Sequence, residues 1–164
     1  TRDNLEDIRA RVAQAAEECD MVLLNAGSSA GREDYSCQAI SEVGEVLCHG
    51  IAIKPGKPAI LGCKGPVPIL GVPGYPVSGI LVIRELLQPL VEHLMGRAHA
   101  QVETAEAVLS RPVVSGLKYR EFIRVRLGYV GDKLMASPLS RGSGVVTSFM
   151  KADGILEVPQ GTEG

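Results

Sequence analysis

The sequence predicts an α/β half followed by a small all-β half, and three observations carry that reading. Residues 4–18 repeat Leu5, Ile8, Val12, Ala15 and Ala16 at helical spacing. Short apolar runs at 21–24, 51–53 and 67–70 each empty into a loop of glycine, proline or serine. From Val102 onward the period changes to alternation, and β-branched residues prevail. The change of period sets units 1–98 and 99–164, with a hinge at His99-Ala100-Gln101.

Each element then has a local cause. Asp3 or Asn4 caps the first helix, and Glu6 and Asp7 place negative charge in its first turn. A strand at 21–25 leads through a small-residue loop into a helix at about 34–43, stopped by Gly44. Strands follow near 46–53, 58–62 and 67–71, then a long helix over 77–95. Pro89 kinks or subdivides that helix because it removes an internal hydrogen bond, and Gly96 ends it. In the second half the pattern gives strands over 102–109, 120–130, 133–139 and 154–158, with Gly131-Asp132 as a tight hairpin. So few strands make a small barrel or a partly open sheet. Lys118, Arg120, Arg124 and Arg126 fall on or beside one of them, where alternation with Ile123, Val125 and Leu127 fits a solvated strand face.

Composition excludes several classes. With 164 residues, 45% hydrophobic and 22% charged, the chain buries one core or two small ones. No apolar run reaches the ~18–20 residues that span a bilayer; the longest, 80–94, is broken by Arg84, Glu85, Gln88 and Pro89. The region 3–18 reads as an amphipathic helix rather than a signal peptide. A formal charge of -2, mixed in sign along the chain, argues against nucleic acid as a partner. Cys19, Cys37, Cys48 and Cys63 lack Cys-x-x-Cys spacing; Cys19 and Cys48 read as buried thiols, and Cys37 alone falls near a candidate loop. His49, His93 and His99 are too dispersed for a zinc site.

The three loops carry the chemistry. In the first, 25–35, backbone N–H groups left over from a strand-to-helix turn suit an anion. Gly27 and Gly31 allow close approach, Ser28 and Ser29 add hydroxyl donors, and Asp34 can bind a metal or orient a polar group. A plain βα connection capping its helix is the alternative. The second, Lys54-Pro55-Gly56-Lys57-Pro58, holds two ammonium groups on a proline-stiffened frame, suited to phosphate or another oxyanion. The third, 71–78, brings Pro73, Gly74, Pro76 and Ser78 to the start of the long helix. If the preceding strands are parallel, all three loops share the carboxyl edge of one sheet, where open α/β sheets bind ligands.

The segments Gly-Ser-Ser-Ala-Gly-Arg-Glu-Asp-Tyr (27–35), Lys-Pro-Gly-Lys-Pro (54–58) and Gly-Val-Pro-Gly-Tyr-Pro-Val-Ser (71–78) occur in order. Gly-Ser-Gly (142–144), Ala-Asp-Gly (152–154) and Pro159 follow in the second half. With these pieces, over nearly its whole length, the chain resembles the C-terminal part of the MoeA family of molybdopterin molybdotransferases, whose animal counterpart is the E domain of gephyrin. There are departures: Ala26 stands where the family's loop usually has glycine, and Tyr75 where many relatives have a smaller polar residue. Family members are much longer, so the resemblance implies a fragment of a longer parent.

The resemblance implies a three-layer molybdopterin-binding domain of MogA/MoaB type, incomplete at its N-terminus, followed by a small barrel-like β domain. It implies molybdenum cofactor biosynthesis: insertion of molybdenum from molybdate into adenylylated molybdopterin, with release of AMP and help from Mg2+ or Zn2+. By position it adds Asp3 as a second pocket and metal carboxylate beside Asp34, and Arg120 and Ser143 as cofactor-binding residues. With them stand Lys54 and Lys57 as the catalytic cations. It further implies a cytoplasmic homodimer without nucleic-acid or membrane partners, active as the full-length parent and weak or inactive as this piece alone. The alternative is a molybdopterin-binding module or adenylyltransferase relative that does not insert molybdenum.

Overall fold

The structure, a computed structural model, describes residues 4–26, 35–142, 144 and 146–162. Helix α1 (Leu5–Glu18) starts where the Asn4 side chain accepts from the Asp7 N–H at 2.9 Å. A cap of this kind contributes about 1 kcal/mol. Strand β1 (Val22–Ala26) and helix α2 (Tyr35–Val43) follow, then β2 (Glu45–His49) and the two-residue β3 (Ile53–Lys54). Strands β4 (Ile60–Lys64) and β5 (Val67–Pro73) precede the long helical segment.

That segment has three parts: α3 (Pro76–Val82), a π-helical turn (Ile83–Leu87) and α4 (Gln88–Leu94). The wide turn closes with the Gln88 N–H donating to the Ile83 carbonyl, immediately ahead of Pro89. Proline offers no N–H, and its ring crowds a tight preceding turn, so a local π-turn absorbs it without ending the helix. The expected effect of Pro89 is thus a subdivision.

One sheet has the order β1-β5-β4-β2. Helices α1 and α2 cover one face, where Ile8, Val12, Ala39 and Ile40 bury against Val22, Ile60 and Ile69. Helix α3 covers the other, with Val77, Leu81 and Val82 against Leu70 and Val72. The layers are therefore helix, sheet, helix.

The second sheet contains β3, β6 (Val108–Leu109), β7 (Arg120–Val130), β8 (Lys133–Pro138) and β9 (Gly154–Val158). The expected strand over 102–109 is confined to its last two residues, and a one-turn helix, α5 (Thr147–Met150), precedes β9. The hairpin at 131–132 is as expected: Val130 pairs with Lys133, and Gly131 takes a positive φ of 64°. A positive φ at the first of two loop residues matches the twist of the flanking strands.

Strand β3 comes from the first half of the chain but pairs in parallel with β7, Ile53 opposite Arg120 and Lys54 opposite Glu121. Phe122, buried on β7, completes the cluster that contains Ile53, Leu70, Val77 and Leu81. One apolar core therefore runs from the first sheet through α3 to the second. Phe122→Ala is expected to lower stability by about 3–5 kcal/mol, the range for deleting a buried aromatic side chain. Urea denaturation followed by far-ultraviolet circular dichroism measures it.

Candidate functional site

Strand ends gather the second and third predicted corners and the end of β1 at one edge of the first sheet. Strand β1 runs parallel to β5, with Asn25 opposite Val72 and Ala26 opposite Pro73, so the two strands finish together. Strand β4 runs antiparallel to β5, with Ile60 opposite Gly71, so the segment feeding β4 reaches the same edge. The condition that the preceding strands run parallel in one sheet holds for β1 and β5 but not for the second corner, whose preceding strand is β3. The loop at 54–58 leaves β3 in the second sheet and enters β4 in the first, so it is not a strand-to-helix corner. Its neck is pinned by Gly50 N–H to the Ala59 carbonyl and Ile51 N–H to the Lys57 carbonyl, both 2.8 Å.

Gly56, at φ 123°, is the residue that permits this turn, and a Cβ there would stand 2.7 Å from Ile53 Cδ1 and 3.2 Å from Val82 Cγ2. The close approach seats the second corner directly against α3. The third corner turns at Gly74 and Tyr75 into Pro76, the first residue of α3. Pro73 and Pro76 have no N–H, so the donors here are Gly74, Tyr75, Val77 and Ser78. They precede the first helical bond, from the Gly79 N–H to the Tyr75 carbonyl. The Ser78 side chain is buried, whereas Tyr75 is exposed.

Charge enters from β3 and the second sheet. Glu121 is 2% exposed, yet all its partners are charged or polar. Its Oε1 accepts from Lys54 Nζ at 3.2 Å and from the Gly116 N–H at 3.1 Å, and its Oε2 accepts from Arg141 Nη1 at 3.3 Å. Burial pushes this carboxyl upward, but the Gly116 N–H, the Lys54 ammonium and the Arg141 guanidinium outweigh it and hold Glu121 below the ordinary carboxylate range. Two cations share one carboxylate, which leaves excess positive charge. Lys57, exposed on the same corner, lies 5.8 Å from the centroid of the Tyr119 ring. A unit anion 4 Å from one such charge gains about 4 kcal/mol at an effective dielectric constant near 20, against about 1 in bulk water.

The loop bearing Arg141 is held by a residue the sequence pattern concealed. Arg124 is buried rather than solvated, and its Nη2 donates to the carbonyls of Ser140 and Gly142. The Leu139 N–H in turn donates to the Arg124 carbonyl at 2.9 Å. Gly144 closes on the third corner, where a Cβ would stand 4.0 Å from Tyr75 Cδ1.

Lys54, Lys57, Pro73, Gly74, Pro76 and Ser78 thus belong to one edge. Arg120 is engaged elsewhere. It pairs with both Glu157 oxygens and with Glu85 Oε2 at 2.9 Å. The bonds to Glu157 raise the Arg120 pKa and lower that of Glu157. Arg120 lines a cavity of about 940 Å3 whose lining includes none of residues 54–58 or 71–78. Asp3, Gly27, Ser28, Ser29, Gly31, Asp34 and Ser143 lie outside the described residues. Among the described residues, no group of three or more His, Cys, Asp or Glu side chains could hold a metal ion. Cys19 is exposed at the end of α1 rather than buried, and the Cys48 thiol, partly buried, donates to the Gly50 carbonyl at 3.0 Å.

Comparison with known proteins follows the same division. The family described as "Probable molybdopterin binding domain" matches residues 1–93, and the one described as "MoeA C-terminal region (domain IV)" matches residues 106–164. The chain is 28% identical to a molybdopterin biosynthesis protein of Methanocaldococcus jannaschii, covering 99% of this chain and 38% of that protein. It is 35% identical over 95 residues to the molybdopterin molybdenumtransferase of Haemophilus influenzae, covering 58% of this chain and 24% of that protein. A crystal structure of a molybdopterin biosynthesis MoeA protein from Pyrococcus horikosii superposes with a TM-score of 0.75 at 37% identity, over 96% of this chain and 37% of that one. The chain therefore spans less than two fifths of the length of these relatives.

Glu121 links the site to pH. Its folded pKa lies below the unfolded one, so its contribution is fully present above the ordinary value of 4.5 and is lost as pH falls through the folded value. Glu121→Gln is expected to flatten the acid limb of stability against pH, measured by urea denaturation at a series of pH values from about 3 to 7.

Proposed function

Since the chain belongs to the MoeA family, we propose that its full-length protein is a transferase that inserts molybdenum from molybdate into adenylylated molybdopterin and releases AMP. The observation that supports this most directly is the convergence of the second and third corners with the end of β1 on one sheet edge. Both substrates bring tetrahedral oxyanion charge, and the edge meets it with two kinds of donor. Lys54 and Lys57 supply cations, while N–H groups of the 74–78 corner supply neutral donors that need no reorganisation as charge moves. Gly27, Ser28, Ser29 and Gly31 extend the cradle on the side fed by β1, and Ser143 contributes from the second half. Arg120 keeps a cofactor-binding role in this reading through the neighbouring cavity, with its guanidinium held by Glu85 and Glu157.

A divalent ion, magnesium or zinc, is assigned to Asp3 and Asp34, whose carboxylates are hard oxygen donors of the kind magnesium takes; bound there, it would offset phosphate charge. The sulfur that holds molybdenum comes from the pterin, so the reading leaves the four cysteines without a catalytic role. The protein is further proposed to act in the cytoplasm as a homodimer, with the molybdopterin-binding unit over 1–98 and the β unit over 99–164.

In the full-length protein, Lys57→Met and Asp34→Ala are each expected to lower kcat/KM for molybdopterin adenylate by about 10- to 100-fold. Residues 1–164 alone are expected to bind the adenylate with weak or no turnover. Unchanged kinetics in both variants would overturn the assignment of the edge as the reaction site.

A further inference from the structure

Resting on that reading of the site and deepening it, we propose that Glu121 is a positioning residue that presents Lys54 and Arg141 as one paired receptor for a phosphate or other tetrahedral oxyanion, with Arg141 itself binding the anion. Exposed ion pairs ordinarily contribute little. This one differs because its carboxylate is 2% exposed and all its bonds run to separate segments: β3, the turn at Gly116 and the loop at Arg141. Its two cations differ from it in the opposite way, being 55% and 43% exposed.

An ammonium has three donors and a guanidinium five, and each directs one to Glu121 in this cluster. The remaining donors, on groups that are 55% and 43% exposed, are the ones assigned to the anion. The carboxylate also removes the reason for the two cations to separate, since without it they repel. Arg141 reaches Glu121 from a loop that Arg124 clamps through Ser140 and Gly142 and that continues to Gly144, near Tyr75. A planar fork beside a point charge suits the adjacent oxygens of a tetrahedral anion, whose second charge the Lys57 ammonium can meet.

Titration calorimetry of the full chain with AMP, inorganic phosphate and molybdate tests this. Arg141→Met is expected to weaken anion binding about tenfold, with partial recovery in Arg141→Lys. Glu121→Gln is expected to weaken binding by a similar factor in the wild-type background. It should cause no further loss in the Lys54→Met/Arg141→Met double variant, where no cations are left for it to position. A purely structural role would reduce binding equally in both backgrounds and overturns the proposal. So does unchanged binding in Arg141→Met, an arm that remains decisive if Glu121→Gln fails to fold, and so does a wild type that binds none of the three anions. Arg141-dependent binding without turnover of molybdopterin adenylate by the full-length protein sustains the receptor and removes the proposed reaction. Turnover that is indifferent to Arg141 and Glu121 does the reverse.

Discussion

A carboxylate withdrawn from water has to be met by donors, and Glu121 meets that requirement from three segments far apart in the chain. The energetic asymmetry is large. Leaving a buried charge without its partner costs several kcal/mol, whereas an exposed pair contributes about 0–1 kcal/mol. Glu121 therefore gathers the charged ends of Lys54 and Arg141, whose backbones are set by their own segments. Everything at the sheet edge that depends on those cations inherits the geometry of β7, the strand that carries it.

The first sheet provides the complementary half. Its edge is built by two parallel strands ending together and a third, antiparallel strand beginning there. Glycines let segments pack tightly at such an edge, as Gly56 of the second corner does against Val82 and Gly79 of α3 against the Pro73 carbonyl. The result joins neutral backbone donors from one sheet to cations fixed by the other. That division parallels the two family matches, one to each half of the chain.

Local pattern was sufficient wherever the cause was local. The apolar stripe and Asn4 cap define α1, and Gly131 with alternating neighbours defines the hairpin. The second and third corners were visible from their glycines and prolines. The antiparallel course of β4 was also readable: only Gly65 and Pro66 separate it from β5, too short a link for a parallel crossover, which takes a dozen residues or more. What stayed hidden depends on contacts distant in sequence. Glu121, between Arg120 and Phe122, has no local mark of burial; Lys54 reaches it across 67 residues and Arg141 across 20. Arg124 was read as solvated because it alternates with Ile123 and Val125. Residues 121–125 are instead buried throughout, covered on both faces of the strand, so alternation there carried no information about solvent. A strand as short as Ile53–Lys54 has no period to detect.

That two-residue strand has a consequence for how the molecule assembles. Helices α1 and α2 and the strands beneath them pack within one stretch of chain, where pairing Val22 of β1 with Ile69 of β5 closes 47 residues. Joining Ile53 and Lys54 to β7 closes a loop of more than sixty residues, and its entropic penalty grows with length. A nascent polypeptide can thus complete its first hydrophobic layer while the lysine corner still lacks its carboxylate anchor. Completion of that sheet edge therefore waits on the pairing of β3 with β7.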